Sequence, residues 1–362
     1  MVMADRPEVH TASTPVAAVT MLGLAENMVN ALARVPFRRP WEGPSGTVQN
    51  MGVSVTRQVI RSFMGYSTGL PIEEFRSMER LLDDVCKVVL PPWVALRDGT
   101  SMDACDVNGI PGLWARRHSE RVDGTVLYLH GGGYIGTSPT MYAAFVGALV
   151  KGTGCETFVA DYRLAPEFPY PAGLHDAVDV YQGLLDAGVD PASLIIAGDS
   201  GGGGLATSLM AELSERGLPR PACLVLFSPE VDLELDHPSV TDNAPKDILP
   251  WNIPVTSYLH GVGPDDARVS AVFADPDWFP PTFVVSGGDE MFRDGIQEFV
   301  DRLGAAGVET EVHLEEGMFH VFPILMPWSE PARRVFAAMD RFVEEHVRPT
   351  APDASDAAFS PA

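Results

Sequence analysis

The fold of this chain is decided by residues 195–206, which read IIAGDSGGGGLA. An apolar run typical of a buried strand ends here, and a helical pattern follows it. Gly198, Ser200 and Gly202 form a G-x-S-x-G pattern at the junction. A serine at such a strand-to-helix turn is held in a tight elbow at the helix N-terminus, where the amide of Gly201 faces developing negative charge. The segment predicts a nucleophilic serine, with a plain glycine turn as the alternative.

A second glycine segment lies 70 residues upstream of Ser200. Residues 130–134 read HGGGY and directly follow the apolar stretch TVLYL. Three consecutive glycines after a strand can turn their backbone N–H groups towards an oxyanion, which larger residues would obstruct. A simple turn would also favour glycine. The two segments together, each placed after a strand and in this order, favour an acyl-transfer site over two unrelated turns.

Apolar stretches and helical patterns alternate through the rest of the chain. The strand-like stretches are residues 125–130, 157–161, 193–199, 222–227, 282–289 and 308–317, and the helix-like ones are 141–151, 174–185, 205–216, 294–306 and 330–346. Continuous apolar strands that alternate with helices indicate a parallel sheet covered on both faces. We therefore predict an α/β fold with a mostly parallel central sheet flanked by helices. In such a sheet the chemistry collects at the carboxyl ends of the strands.

The first 90 residues lack strand alternation. Apolar residues three and four apart predict helices at 15–36, 57–66 and 71–89. Three short amphipathic helices have more apolar surface than they can bury among themselves, so we expect them to cover a larger domain. The predicted organisation is an N-terminal helical cap at 1–90, a catalytic core at 91–348 with a candidate cap insertion at 230–272, and a disordered tail at 349–362.

Composition excludes several classes of partner. The chain has 362 residues with 25 basic and 49 acidic side chains, which gives a net charge of −24. Nucleic-acid binding depends on basic residues that neutralise phosphates, so DNA and RNA are poor partners. The N-terminus lacks the pattern of a signal peptide, and no run of 18 apolar residues predicts a spanning helix. We expect a cytoplasmic protein without stable membrane anchoring, whose four dispersed cysteines are reduced thiols.

The base and the acid that a serine nucleophile needs are sought downstream, at strand ends. Asp289 ends the stretch TFVVSGG, 89 residues after Ser200, and His320 follows the last strand in the segment EGMFHVF. A loop histidine can move between the serine and a leaving group. Glu290, one residue further into the turn, competes with Asp289 as the acid, and Asp294 better suits a cap on the next helix.

These motifs resemble the hormone-sensitive-lipase family of α/β-hydrolase carboxylesterases. The resemblance rests on HGGG at 130–133, GDSGG at 198–202, a late acid and histidine, and DYRLAPE at 161–167, and it covers roughly residues 107–347. It implies Ser200 as nucleophile, His320 as base and then acid, and Asp289 as the orienting carboxylate. The oxyanion donors would be the amides of Gly132, Gly133 and Gly201, with His130 and Gly131 supporting that loop.

Two positions depart from the family pattern. Gly201 stands where alanine is common, which leaves the donor but loosens the elbow. Glu290 stands where many members have proline, which weakens the assignment of Asp289. The resemblance also implies that Asp161, Arg163 and Glu167 form an ion-paired loop that braces the glycine turn.

The implied activity is hydrolysis of short- to medium-chain carboxylic esters through an acyl-enzyme, without a metal or cofactor. The same residues would also suit a lactonase, an amidase or an acyltransferase, and a non-catalytic protein that binds a small ligand is the alternative from another class. The partner would be a small-molecule ester, and family members often form homodimers through the sheet edge. Candidate pocket walls are Phe63, Tyr134, Trp251 and Phe319.

Overall fold

The computed structural model describes residues 9–41, 46–117, 124–249 and 255–347. One eight-stranded sheet runs through it in the order β1-β2-β4-β3-β5-β6-β7-β8. The strands are β1 Thr100–Val107, β2 Ile110–Arg117, β3 Thr125–Leu129, β4 Glu156–Ala160, β5 Leu194–Asp199, β6 Cys223–Phe227, β7 Thr282–Gly287 and β8 Thr310–Glu315. From β4 to β8 the neighbours are parallel, and β2 pairs antiparallel with both β1 and β4. The predicted mostly parallel α/β sheet is confirmed.

The hairpin formed by β1 and β2 was not predicted from the sequence. Strand β1 is partly exposed and carries Asp103 and Asp106, and β2 contains Pro111 and Gly112 and ends in two arginines, so neither has the continuous apolar run of the central strands. The turn that joins them is Asn108-Gly109, in which both residues have positive φ values, 52° and 84°. Asn-Gly is a strong hairpin signal because both positions of a type I′ turn need that backbone region. The Asn108-Gly109 dipeptide is therefore the sequence signal that could have predicted β1 and β2.

Helices cover both faces of the sheet. On one face lie α4 Ala143–Thr153 and α11 Glu330–His346, and on the other lie α5 Ala172–Asp186, α6 Ser200–Arg216 and α9 Arg293–Ala305. Strand β5 shows why both faces are apolar, since Leu194 and Ile196 pack on one side while Ile195 and Ala197 pack on the other. Burying both sides of each central strand removes a large apolar area from water and holds β5 rigid.

Two of the three N-terminal helices, α2 and α3, are longer than the sequence predicted. The three helices are α1 Thr14–Arg34, α2 Thr47–Ser67 and α3 Ile72–Asp98. Helix α3 continues through Pro91 and Pro92, where we expected the cap to end. Its last turns are held by packing, because Val94 is fully buried and Asp98 bonds to Lys151 of α4 at 3.4 Å. Tertiary contacts therefore outweigh the cost of proline inside a helix, and the helical segment ends at Asp98.

Helix α1 lies along the surface of the other two helices. Tyr66 donates a hydrogen bond to the carbonyl of Thr20 at 2.7 Å, while Val19, Leu22 and Val29 are each about two-thirds exposed on the opposite side. The stretch Thr14–Phe37 is long and apolar enough to cross a membrane, judged by length and composition, and 17% of its apolar window is buried. The expectation that no segment meets this criterion was wrong, because an apolar helix with few charges passes without an unbroken apolar run.

The described parts of residues 230–272, which are 230–249 and 255–272, are irregular and contain two short α-helices, α7 Pro238–Asp242 and α8 Val255–Leu259. Several of their side chains, including Val231 and Tyr258, join the main apolar core. They also meet the N-terminal helices, because Arg61 of α2 donates to the carbonyl of Asp247 at 2.9 Å. The described part of this segment thus belongs to both core and cap. Trp251 and the tail at 349–362 lie outside the described residues.

Candidate active site

The predicted nucleophile stands at a strained turn between β5 and α6. Ser200 has a φ of 51°, in the left-handed region that few non-glycine residues adopt, and it begins helix α6. Such strain persists only where the surroundings fix it, and it is typical of a nucleophile elbow. The elbow is fixed by Glu230, whose backbone N–H donates to the carbonyl of Ser200 at 2.9 Å. The hydroxyl is therefore presented at a helix N-terminus, as the motif predicts.

Four consecutive glycines after Ser200 let other segments approach the start of α6. A Cβ atom on Gly202 would lie 2.2 Å from the carbonyl oxygen of Leu129, and one on Gly204 would lie 2.2 Å from the hydroxyl of Tyr134. Neither distance is physically allowed for a carbon atom. The glycine run thus brings the loop after β3 and the segment after β6 into direct contact with the elbow.

His320 meets Ser200 from the loop after β8. Its Nε2 lies 2.9 Å from Ser200 Oγ, and both side chains are buried. The backbone N–H of His320 donates to Asp247 at 3.0 Å, and the same carboxylate accepts from the backbone of Met291 at 2.8 Å. Asp247 therefore ties together the two loops that follow β7 and β8. The structure brings together the serine and histidine named from the sequence.

The acid beside His320 is Glu290, and the assignment of Asp289 requires correction. Glu290 is fully buried and its Oε2 lies 3.7 Å from His320 Nδ1, an ion-pair distance that is longer than a hydrogen bond. Asp289 points the other way, and its Oδ2 accepts from Arg57 of α2 at 3.1 Å. The turn after β7 decides this, because the backbone N–H of Asp289 bonds to Met318 and that of Glu290 bonds back to Gly287. Of the two adjacent acids, Glu290 is therefore the one that faces His320.

Glu290 is held in place by two serines. Ser228 donates to its Oε2 at 2.6 Å and Ser286 donates to its Oε1 at 3.0 Å. Burial alone would lower the pKa of His320, but the attraction of Glu290, aided by Asp247 and other acids, outweighs it and raises that pKa above its usual value. An oriented carboxylate of this kind stabilises an imidazolium, as the third member of a serine triad must.

The glycine loop after β3 is anchored directly to the elbow. Asp199 accepts from the backbone N–H of Gly131 at 2.9 Å and from Tyr128 and Tyr142 at 2.7 and 2.8 Å. Burial raises the pKa of Asp199 to about 6, although these hydrogen bonds lower it. The carboxylate just before the nucleophile thus fixes the neighbouring loop.

The predicted oxyanion donors lie around this loop. Gly132 and Gly133 have φ values of 119° and 61° and line the cavity that contains Ser200 and His320. Gly201 lies behind the loop, and a Cβ atom added to it would lie 3.0 Å from the backbone nitrogen of Tyr134. Alanine at position 201 would therefore press against the loop, so glycine there permits close packing of the elbow and loop.

His130 supports the loop and makes no contact with Ser200 in the described structure. Its Nδ1 lies 2.8 Å from Thr137 Oγ1, and its ring stacks on Tyr162 with centroids 4.5 Å apart. Burial lowers the pKa of His130 to about 4, so the ring is neutral at physiological pH. This placement agrees with the supporting position expected for His130 and Gly131.

An arginine of the cap holds the outer side of the loop. Arg76 of α3 donates to Glu167 at 2.6 Å, to Glu79 at 2.8 Å and to the carbonyl of Ile135 at 2.6 Å. Glu167 was expected to belong to an ion-paired loop that braces the glycine turn. The structure pairs Glu167 with the cap.

Arg163, from the same stretch, also pairs outside it, with Asp176 of α5 at 2.7 Å. The expected ion pairs of Arg163 and Glu167 are therefore present, and their partners are supplied by α5 and α3. Neither partner was identified from the sequence.

A cavity of about 220 Å³ opens beside Ser200. Its walls are mostly apolar and come from α2, from the loop after β3 and from the segments after β6, β7 and β8. They include Ile60, Phe63, Met64, Ile135, Glu230, Ile248, Leu249, Phe292 and Leu325. Phe63 was named correctly as a wall residue, whereas Tyr134 and Phe319 are buried in the core, and Trp251 lies outside the described residues.

The comparisons with known proteins agree with this geometry. A family model described as an alpha/beta hydrolase fold matches residues 126–324. The crystal structure of an esterase from the bacterial hormone-sensitive lipase family superposes with a TM-score of 0.73 at 29% identity, covering 84% of this chain and all of that one. The chain belongs to the hormone-sensitive-lipase family of α/β-hydrolases. Among family relatives, an acetyl-hydrolase of Streptomyces hygroscopicus is 33% identical over 67% of this chain and 82% of its own length.

Two further relatives are named as an esterase and as a carboxylesterase/phospholipase. An esterase of Acinetobacter venetianus is 33% identical over 60% of this chain and 73% of its own length. A carboxylesterase/phospholipase of Mycobacterium tuberculosis is 27% identical over 84% of this chain and 86% of its own length, so its match extends beyond the catalytic core.

Proposed function

We propose that this α/β-hydrolase is a serine carboxylesterase that hydrolyses short- to medium-chain esters through an acyl-enzyme. The observation that carries the proposal is the 2.9 Å contact between His320 Nε2 and Ser200 Oγ at a serine with a φ of 51°. A base in contact with a strained, pocket-lining hydroxyl favours catalysis over simple ligand binding. The esterase names of its relatives support the same chemistry.

In the first half-reaction His320 takes the proton of Ser200 as Oγ attacks the ester carbonyl carbon. The carbonyl oxygen becomes an oxyanion, which the amides of Gly132, Gly133 and Gly201 are proposed to bind. The imidazolium is stabilised by Glu290 and then gives its proton to the departing alcohol as the C–O bond breaks.

In the second half-reaction His320 takes a proton from water, and the resulting hydroxide attacks the acyl carbon. Collapse of the second tetrahedral intermediate breaks the bond to Ser200, which recovers its proton from His320. The acid product then leaves and the enzyme is restored. Glu290 orients the histidine throughout and keeps its own charge.

The cavity supports the chain-length range of the proposal. Its volume of about 220 Å³ lies below the roughly 300–1,000 Å³ of pockets that hold drug-sized ligands, and its walls are mostly apolar. An ester panel graded by acyl length tests this point. We expect kcat/KM to peak below about ten carbons, and a peak above that length would contradict the range.

The central experiment is Ser200→Ala with a p-nitrophenyl ester. We expect turnover to fall by roughly 10³-fold or more while the circular dichroism spectrum is unchanged, because only the nucleophile is removed. An active-site phosphonate should add its mass to Ser200 in peptide mass spectrometry of the unaltered protein. Full activity of the alanine variant would reject the proposal.

A further inference from the structure

Two carboxylates, Asp199 and Glu230, line the cavity, and of these only Glu230 has an oxygen without a hydrogen-bond partner among the described residues. Glu230 is 1% exposed and lines the same cavity as Ser200 and His320, among mostly apolar side chains. Its Oε1 has no hydrogen-bond partner among the described residues. A buried carboxylate with an unused acceptor is costly, because it has lost water without gaining a replacement. The triad chemistry derived above makes no use of this carboxylate.

The position of Glu230 is fixed by the elbow itself. Its backbone N–H bonds to the carbonyl of Ser200, and its own carbonyl oxygen occupies the space beside Gly204, where a Cβ atom would lie 2.4 Å away. The main chain of Glu230 therefore cannot shift without disturbing the nucleophile. The α-carbon of Glu230 is therefore held at a fixed position relative to Ser200.

The groups around this carboxylate are neutral hydroxyls and one imidazole. Tyr134 and Tyr258 stack with ring centroids 3.8 Å apart, and their hydroxyl oxygens also lack partners among the described residues. The charge of Glu230 contributes to raising the pKa of both phenols, after the larger effect of burial. His320 is the charged group whose attraction acts on Glu230, and burial outweighs it, so the pKa of Glu230 rises to about 7.

We propose that Glu230 is a polar subsite that accepts a hydrogen bond from a hydroxyl or ammonium group carried by the ester substrate. The inference rests on the proposed esterase function and names its substrate class. Such a donor would satisfy Oε1 and would sit at a fixed distance from the carbonyl that Ser200 attacks. A site built to accept one hydrogen bond discriminates strongly against analogues that leave the acceptor unpaired.

Pairs of esters with the same shape test the subsite. Ethyl 3-hydroxybutyrate is compared with ethyl 3-methylbutyrate, and 2-hydroxyethyl butyrate with propyl butyrate, so that a hydroxyl replaces a methyl on either side of the ester. 2-(Dimethylamino)ethyl butyrate is compared with 3-methylbutyl butyrate, so that an ammonium replaces a CH. We expect the donor-bearing member of at least one pair to have a kcat/KM about tenfold higher, the effect of one hydrogen bond to a charged group.

Two variants identify the residue responsible. Glu230→Leu removes the acceptor at similar size, and we expect it to abolish the preference. Glu230→Gln keeps an acceptor oxygen without the charge, so a preference for hydroxyl should survive in it while a preference for ammonium should be lost. The two variants therefore distinguish a substrate hydroxyl from a substrate ammonium group as the donor. No preference in any pair, or a preference that persists in Glu230→Leu, would overturn the subsite.

The pH dependence of the wild-type ratio provides a test that needs no variant. His320 acts on both esters of a pair, so its titration cancels in the ratio, and the neighbouring phenols stay neutral. The ammonium preference should increase as the pH rises through about 7, because Glu230 then becomes ionised. If the kcat/KM ratio of the ammonium pair did not change with pH, it would contradict the ammonium part of the proposal. Absence of all turnover, together with no phosphonate label on Ser200, would reject the esterase function and this subsite with it.

Discussion

The N-terminal helices and the sheet that they cover differ in charge and in how they are held. Residues 1–98 contain ten basic and ten acidic side chains and are neutral overall, whereas residues 99–362 contain fifteen basic and thirty-nine acidic ones. The whole net charge of −24 therefore lies in residues 99–362. The core is joined by continuous apolar strands, while the cap meets it through guanidinium groups such as Arg57 and Arg76 and through packed side chains such as Val94.

The two regions therefore contribute to different properties: the core holds the groups that carry out the chemistry, and the cap shapes substrate access. The groups that contact the reacting atoms lie on loops fixed by buried strands, and their geometry depends on hydrogen bonds within the core. The cap supplies cavity walls from α2 and a clamp from α3. Changes in the core should alter kcat, and changes in the cap should alter KM or stability. The following substitutions test that division.

The largest effect should separate two neighbouring acids. Glu290→Gln removes the charge that stabilises the imidazolium of His320, so we expect kcat to fall by roughly 10²- to 10⁴-fold. Asp289→Asn is the matched control, because its carboxylate contacts Arg57 of the cap, and kcat should change by less than about threefold. Steady-state kinetics of both variants decide the point. The reverse order of effects would restore Asp289 as the acid.

The same variant should shift the pH profile, which distinguishes orientation of His320 from a general loss of structure. His320 must be neutral to act as base, so activity rises with pH through its pKa, which lies above the ordinary value. Loss of the Glu290 charge should lower that pKa and move the acidic limb of kcat/KM to lower pH. An unmoved limb in the residual activity of Glu290→Gln would argue against this role.

The next effect concerns the clamp between cap and core. Arg76→Met leaves the partly buried Glu79 and Glu167 without their buried cation, so we expect the free energy of unfolding to fall by about 3 kcal/mol. Arg334→Met is the control, because Arg334 is about half exposed and its ion pairs are at the surface, where the loss should stay below about 0.5 kcal/mol. Urea unfolding measures both. Equal losses would show that the clamp contributes no more than a surface pair.

A smaller effect compares two valines on the same helix. Val94 is fully buried beyond the two prolines of α3, and Val88 is 76% exposed on the same helix. Val94→Ala should cost roughly 2 kcal/mol through the cavity that it leaves, whereas Val88→Ala should change the free energy of unfolding by less than about 0.5 kcal/mol. Thermal or urea unfolding gives the difference. A neutral Val94→Ala would mean that the end of α3 is not held by packing.

The smallest effect concerns Arg57, the other arginine that joins the cap to the core. Arg57 bonds to Asp289 and lies on α2, whose residues line the cavity, so Arg57→Met should raise KM by about threefold with little change in kcat. Lys246→Met is the control, since its Nζ lies 3.9 Å from the same carboxylate. A fall in kcat larger than the rise in KM would place Arg57 in the catalytic machinery instead of the cap.

Local signals identified most of the core, and long-range contacts account for what they missed. Strands β3 to β7 carry apolar runs, β8 alternates apolar and polar residues, and the elbow and glycine loop are encoded by adjacent residues, so they could be predicted. The choice between Asp289 and Glu290 depends on a backbone turn that contacts Met318, 29 residues away. The pairing of Arg76 with Glu167 spans 91 residues. No local pattern specifies which acid faces inward or which arginine closes a loop.

The glycine run at the start of α6 limits the evolutionary routes open to this protein. Side chains at Gly202 and Gly204 would overlap the carbonyl of Leu129 and the hydroxyl of Tyr134, so variants at these positions should be removed by selection before they can alter specificity. Helix α2 meets the cavity from outside the sheet, and its side chains Ile60 and Met64 are only partly buried, so exchanges there should have a lower structural cost. New substrate ranges should therefore arise in lineages through the cap, while the elbow stays constant.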